Sequence, residues 1–321
     1  MRINVLTFIL AASLVAWCGR AEEEASGHYV PGVTADFMDA LPNDSGLAAV
    51  NLFTFYNGGA GVNEPFDFAG RLTFGVEGTV YADTLGLLYK TPLQILGGNY
   101  AALIAIPIVS VEVKAQTEFS GPRGGLLLGH NLKDTASGLG DITIYPIIWG
   151  WKQFNGDLKE DLRFGIYAPT GSYTTGDLAN AGRNFWTFEP SFSISWLSSK
   201  IGTEISLFSG FDFNTENDAT QYQSGAVFHL DATVAQHLPL SGGFIGVGAN
   251  VFYYQQITAD GGSGAKLGSF EGTTTGIGPV LSYARKFGKV DVVGEVKWLP
   301  ELSVDKRLKG DYLWVKLGVV F

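Results

Sequence analysis

The chain has one cysteine, Cys18, and four histidines in 321 residues. A lone cysteine excludes a disulfide framework and a cysteine-based metal cluster. Charge is scarce as well: Asp, Glu, Lys and Arg make up 16% of the chain, against about 25% in soluble domains. After the N-terminus the longest strictly apolar run is Ala101 to Val109, which Pro107 interrupts. It falls far short of the roughly 20 residues that a membrane helix needs. Glycine, with 43 residues, and aromatics, at 13%, are abundant instead. So apolar a chain is not disordered, and without a G-X-Y period it is not collagen. It is too apolar for an ordinary soluble domain and too interrupted for a helical membrane bundle.

Met1 to Ala21 reads as a secretory signal, with Arg2 at the start, an apolar stretch from Val5 to Trp17, and small residues at Gly19 and Ala21. The competing reading, a lipid anchor on Cys18, requires a small residue where Trp17 stands. Cleavage after Ala21 removes the only cysteine, Arg2 and Arg20. The mature chain then holds 19 basic and 31 acidic residues, a net charge of −12. That balance argues against nucleic acid as a partner.

The mature chain alternates with period two. In Phe185 to Trp196, Trp186, Phe188, Pro190, Phe192, Ile194 and Trp196 share one face, and Thr187, Glu189, Ser191, Ser193 and Ser195 the other. That is a strand with one apolar and one polar face. Its two tryptophans, at about 3.4 Å per residue and a tilt near 45°, span roughly 24 Å of height. This matches the apolar band of an outer-membrane barrel, about 25 Å tall with aromatic rims. A soluble sandwich accounts for the alternation but not for the tryptophan spacing. About twelve such segments start near Leu47, Leu72, Asn99, Gly138, Leu158, Phe185, Lys200, Gln221, Gly242, Glu271, Lys289 and Lys309.

The connections alternate between long and short. Asn57–Phe66, Ser120–Ser137, Thr170–Asn184 and Ile257–Phe270 are long, whereas Thr91–Gly98, Lys152–Asp157, Ser198–Ser199, Pro239–Ser241 and Gly288 are short; Glu301–Leu308 is the last loop. Such sorting is the mark of extracellular loops and periplasmic turns. The last strand ends on Phe321, and a terminal aromatic resembles the signal by which outer-membrane proteins engage their assembly machinery. The expected fold is therefore all-β: a transmembrane antiparallel up-and-down β-barrel over 47–321 in a bacterial outer membrane, with lipid as its outer partner. Residues 22–46 break the pattern with Gly27, Pro31, Gly32 and Pro42. They form either a plug in the barrel, with Tyr29, Pro31 and Phe37 packing inside, or a periplasmic segment.

No motif for chemistry stands out. Gly124–Gly129 and Gly261–Gly268 lack the Gly-Lys-Ser/Thr of a phosphate loop. Asp212, Asn214, Glu216 and Asp218 imitate a calcium loop, but Asn217 replaces its glycine and Gln223 its bidentate glutamate. Only a looser surface calcium site stays open. His229 and Asp231, neighbours on one face, suggest a base and its orienter for a barrel lipid hydrolase, yet no serine is marked as nucleophile. The expectation is no enzyme, no cofactor and no metal. The polar faces place Asp141, Arg163, Glu189, Glu204, His229, Asp231 and Lys297 in the lumen, with Asp212, Asp291, Glu295 and Lys316 alongside. They either line a transport path or pair across the barrel.

Gly27-His28-Tyr29-Val30-Pro31-Gly32, Gly138-Leu139-Gly140-Asp141-Ile142, Ala168-Pro169-Thr170-Gly171-Ser172-Tyr173, Gly182-Arg183-Asn184-Phe185-Trp186, Asn214 through Tyr222 with Ser224-Gly225, Phe228-His229-Leu230-Asp231 and Gly276-Ile277-Gly278-Pro279 follow one another in order. This series resembles the outer-membrane MetA-pathway phenol degradation family across nearly the whole mature chain. The resemblance implies an outer-membrane barrel associated with uptake of aromatic or other hydrophobic small molecules. Tyr29, Asp141, Glu189, His229 and Asp231 fall at matching family positions, and no role comes with them. A general cation-preferring porin and a plugged structural barrel are the alternatives.

Overall fold

A computed structural model of the chain describes residues 27–61, 65–68, 71–120, 126–265 and 271–321. The expected signal, Met1 to Ala21, lies outside the described residues. The strands are β1 (Gly46–Gly59), β2 (Pro65–Phe68), β3 (Arg71–Phe74), β4 (Val76–Ile95), β5 (Gly98–Ser120), β6 (Leu126–Leu139), β7 (Ile142–Gln153), β8 (Leu158–Ala168), β9 (Thr187–Leu197), β10 (Thr203–Asn214), β11 (Val227–Leu240), β12 (Gly243–Gln256), β13 (Thr273–Phe287), β14 (Val290–Asp305) and β15 (Lys309–Val320).

Each wall strand pairs antiparallel with its neighbours along the chain, and β1 closes the ring by pairing with both β4 and β15. β6 and β7 lie end to end along β5, with Ile108 opposite Leu139 and Ala105 opposite Thr143. Counted as one, they give a closed barrel of twelve strands. β2 and β3 pair only with each other, as a hairpin in the first long loop. Closure is obligatory, because an open edge in hydrocarbon would leave unpaired backbone groups with no water to bind.

Burial is inverted relative to a soluble protein. Val234, Val247, Trp298 and Leu317 are more than half exposed on the outer face, whereas Glu189, Asp231 and Lys297 inside are 0% exposed. Side-chain alternation produces this directly, since successive residues point to lipid and to lumen.

The connections sort by end. At the turn end, Leu96-Gly97 and Ser241-Gly242 are two-residue turns with φ of 50° and 76°, and 49° and 79°. Positive φ at both positions is what a tight hairpin matching strand twist requires. Several connections differ from the sequence reading: the loop expected at Asn57–Phe66 extends to residue 75 and holds the β2–β3 hairpin, and the turn expected at Ser198–Ser199 runs from 198 to 202. Ser120–Ser137 was expected as a loop, but residues 126–139 continue as β6, an arm that extends β5 past the wall. Its Lys133, Thr135 and Ser137 are exposed in alternation with Leu132, Asp134 and Ala136. Polar residues on one face disguised a strand that has no lipid to face. β4 and β14 likewise run on to Ile95 and Asp305, which shortens the connections expected at Thr91–Gly98 and Glu301–Leu308.

Lipid-facing and rim positions differ in their tolerance for charge. Val234→Arg, in the middle of β11, should cost roughly 2–4 kcal/mol, and Leu240→Arg, at its turn end, about 0–1 kcal/mol. Equilibrium unfolding from phospholipid bilayers checks both values.

Candidate functional site: the barrel lumen

The lumen is occupied by residues 27–45, which run from its loop end to its turn end. At the loop end the His28 ring lies 2.6 Å from Thr187 Oγ1 and 2.9 Å from Asp141 Oδ2. It stacks on Tyr167 and meets Phe185 edge-on. Asp141, in the break between β6 and β7, also accepts the backbone N–H groups of Gly171 and Arg183. It thus ties the loop after β8 to the start of the N-terminal segment.

Below it, Asp231 gathers the turn at residues 29–34. Its carboxylate accepts the Tyr29 hydroxyl at 2.5 Å, the Thr34 hydroxyl at 2.9 Å, and the N–H groups of Gly32 and Thr34. Gly32 has φ of +82° and packs on Leu299 and Trp314, so no side chain fits there. The Tyr29 ring stacks on His229, and Phe208 lies parallel to both.

Deeper still, Asp36 is 1% exposed and accepts Lys297 Nζ at 2.8 Å and Lys316 Nζ at 2.5 Å. Lys297 also donates to the Thr34 carbonyl. Burial works against the Asp36 carboxylate, and the two ammonium groups beside it offset that cost. Glu204 accepts the Phe37 N–H at 2.8 Å and lies 2.7 Å from His237, on which the Phe37 ring packs edge-on. Arg163 pairs with Asp161 and donates to the Asp39 carbonyl. Lys90 donates to the carbonyls of Pro42 and Asn43.

Asp141, Arg163, Glu189, Glu204, His229, Asp231 and Lys297 therefore all face inward. All but Glu189 contact the N-terminal segment directly. Pro31 is buried in that segment with Tyr29, and Phe37 is partly buried. Asp231 does not orient His229: its oxygens are taken by the segment, and the carboxylates beside His229 Nε2 are Glu189 and Asp212. Residues two apart on a strand stand parallel rather than facing each other.

The open part of the lumen is elsewhere. A cavity of about 910 Å³ runs beside the segment and is lined on the wall by β1, β4 and β5, with Val50, Leu52, Val80, Ala82, Leu103 and Val109 among its residues. On the other side Val30, Val33 and Met38 of the segment face it. Its lining reaches from Leu178 and Arg183 at the loop end to Lys289 and Phe321 at the turn end. Sequence reasoning missed this stripe. The available signal was the run Ala101 to Val109, a strand apolar on both faces: one suits lipid, and the other makes an apolar lumen wall.

Removing the Asp36 carboxylate would leave two buried ammonium groups side by side. Asp36→Ala should destabilise the barrel by roughly 3–5 kcal/mol, as expected when one partner of a buried ion pair is lost. Denaturant unfolding checks the loss.

The solved structure of the COG4313 outer membrane channel from Pseudomonas putida F1 has the same fold, with a TM-score of 0.62 at 15% identity over 92% of this chain and all of that one. The β domain of the Bordetella autotransporter Brka aligns over 87% of this chain and all of its own at 14% identity, with a TM-score of 0.47. None of the curated proteins matches the chain. The family profile described as "Putative MetA-pathway of phenol degradation" matches residues 55–317. This β-barrel belongs to that family.

Proposed function

We propose that the barrel is a channel for passive uptake of small hydrophobic compounds, aromatics among them, and has no enzymatic role. The observation that carries this is the division of the lumen into two walls. The N-terminal segment engages charged side chains of the wall, and on the β1, β4 and β5 side the space beside it is lined mainly by valine, leucine and alanine, with Lys159, Arg163 and Lys316 among the charged residues on its other sides. A cavity of this size, with more apolar than polar lining, suits a small hydrophobic solute. A sugar or hydrated ion would leave water to pass aliphatic side chains without replacement hydrogen bonds. A general cation-preferring porin fits less well, because Glu204, Asp231 and Asp36 are already paired. Residues 27–41 act as a constriction, or gate, beside the path.

Proteoliposomes should take up labelled phenol or toluene faster than they swell in sugars. Equal flux of both would favour a porin, and no flux of either a plugged structural barrel. Ala82→Phe combined with Ala105→Phe fills the cavity from β4 and β5 and should abolish most of the aromatic flux while the protein still folds. Deletion of Glu22 to Leu41 should raise ion conductance in planar bilayers; unchanged conductance would contradict the constriction.

A further inference from the structure

Behind Tyr29, on the wall side of the N-terminal segment, Glu189, Asp212 and His229 converge. Glu189 on β9 and Asp212 on β10 lie between the paired rows Ser191–Gly210 and Phe188–Phe213. In the former row Ser191, Gly210 and His229 lie side by side across β9, β10 and β11. Gly210 leaves a gap in that row. A Cβ there would lie 2.8 Å from His229 Nε2 and 2.9 Å from Ser191 Cβ. The gap is therefore bordered by an imidazole and a hydroxyl, with two carboxylates alongside.

The spacing within the cluster is not that of hydrogen bonds. His229 Nε2 lies 3.4 Å from Glu189 Oε1 and 3.6 Å from Asp212 Oδ1, beyond the usual N–H···O distance of about 2.9–3.0 Å. Glu189 Oε1, both ring nitrogens of His229 and the Ser191 hydroxyl are buried without a hydrogen-bond partner. Two ligands held at about 2.1 Å by one tetrahedral cation stand roughly 3.4 Å apart. The surroundings also fix these groups in place. The hydroxyls of Tyr145 and Tyr167 both donate to Glu189 Oε2 at 2.7 Å, which leaves Oε1 toward His229. Tyr29 stacks on the imidazole with ring centroids 3.6 Å apart. Outer-shell contacts of this kind orient metal ligands.

We propose that Glu189, Asp212 and His229 form a site for one divalent transition cation of the zinc class, with the Ser191 hydroxyl beside it. One imidazole with carboxylates suits such a cation better than calcium or magnesium, which prefer all-oxygen shells. The cation joins β9, β10 and β11 behind the ring that anchors the N-terminal segment, so its role is structural. No short motif announces it, because each ligand comes from a different strand.

The test uses the folded full chain in detergent, loaded with zinc chloride and dialysed against metal-free buffer. Elemental analysis should find one zinc per chain, cobalt in its place should give the visible bands of a four-coordinate site, and chelator should lower the unfolding temperature. Glu189→Gln with His229→Gln should abolish binding, Gly210→Ala should weaken it by filling the gap, and Asp218→Asn on the surface should leave it intact. Folded wild-type protein that holds no zinc after dialysis would overturn the proposal, as would zinc that the double variant retains. If the variants fail to fold, the zinc content and cobalt spectrum of the wild type still decide.

Discussion

Hydrocarbon offers the backbone no hydrogen-bond partner, and the rest of this structure depends on that constraint. Twelve strands must close on themselves, and closure fixes which face of each strand meets lipid. With lipid outside, polar side chains on the alternate positions have nowhere to go but a narrow lumen. There, charges away from bulk water need partners. The N-terminal segment supplies them: Asp36 sits between Lys297 and Lys316, and Asp231 receives Tyr29, Gly32 and Thr34. The segment is thus held by the same buried charges that the barrel would otherwise leave unsatisfied.

That arrangement uses one wall and leaves the other free. β8 to β15 present glutamate, aspartate, lysine, arginine and histidine to the segment, whereas β1, β4 and β5, Lys90 apart, present mainly small and medium aliphatic side chains to open space. In the proposed function, selectivity for hydrophobic solutes follows from this asymmetry without a dedicated binding residue. A charged lumen on all sides would have made a porin. An aliphatic lumen on all sides would have given the segment no anchor.

Much of the fold was legible because lipid enforces the alternation through the central stretches of β9, β11 and β15. Most of the strand starts, the last strand and the inward charges follow from that one rule, although the start expected near Leu72 falls in the β2–β3 hairpin and the one near Gln221 precedes β11 by six residues. Where lipid is absent the rule weakens, and there the sequence misled: β6, projecting past the wall, carries Lys133, Thr135 and Ser137 on an exposed face and reads as a loop. The apolar stripe was hidden for the opposite reason. Ala101 to Val109 shows no alternation because both of its faces are apolar, so it looked like a failed membrane helix rather than a lumen wall. The partners of each inward charge were not legible at all. Asp36 meets Lys297 and Lys316 from positions more than 250 residues away, and no local pattern encodes such a meeting.

The central claim is that hydrophobic solutes occupy the space between the N-terminal segment and β1, β4 and β5. Anomalous diffraction from crystals soaked in bromobenzene locates such a solute by its halogen. The account predicts bromine peaks inside the barrel beside Leu52, Val80 and Val109. Peaks confined to the lipid-facing surface, with none in the lumen of crystals that admit the compound, would contradict it.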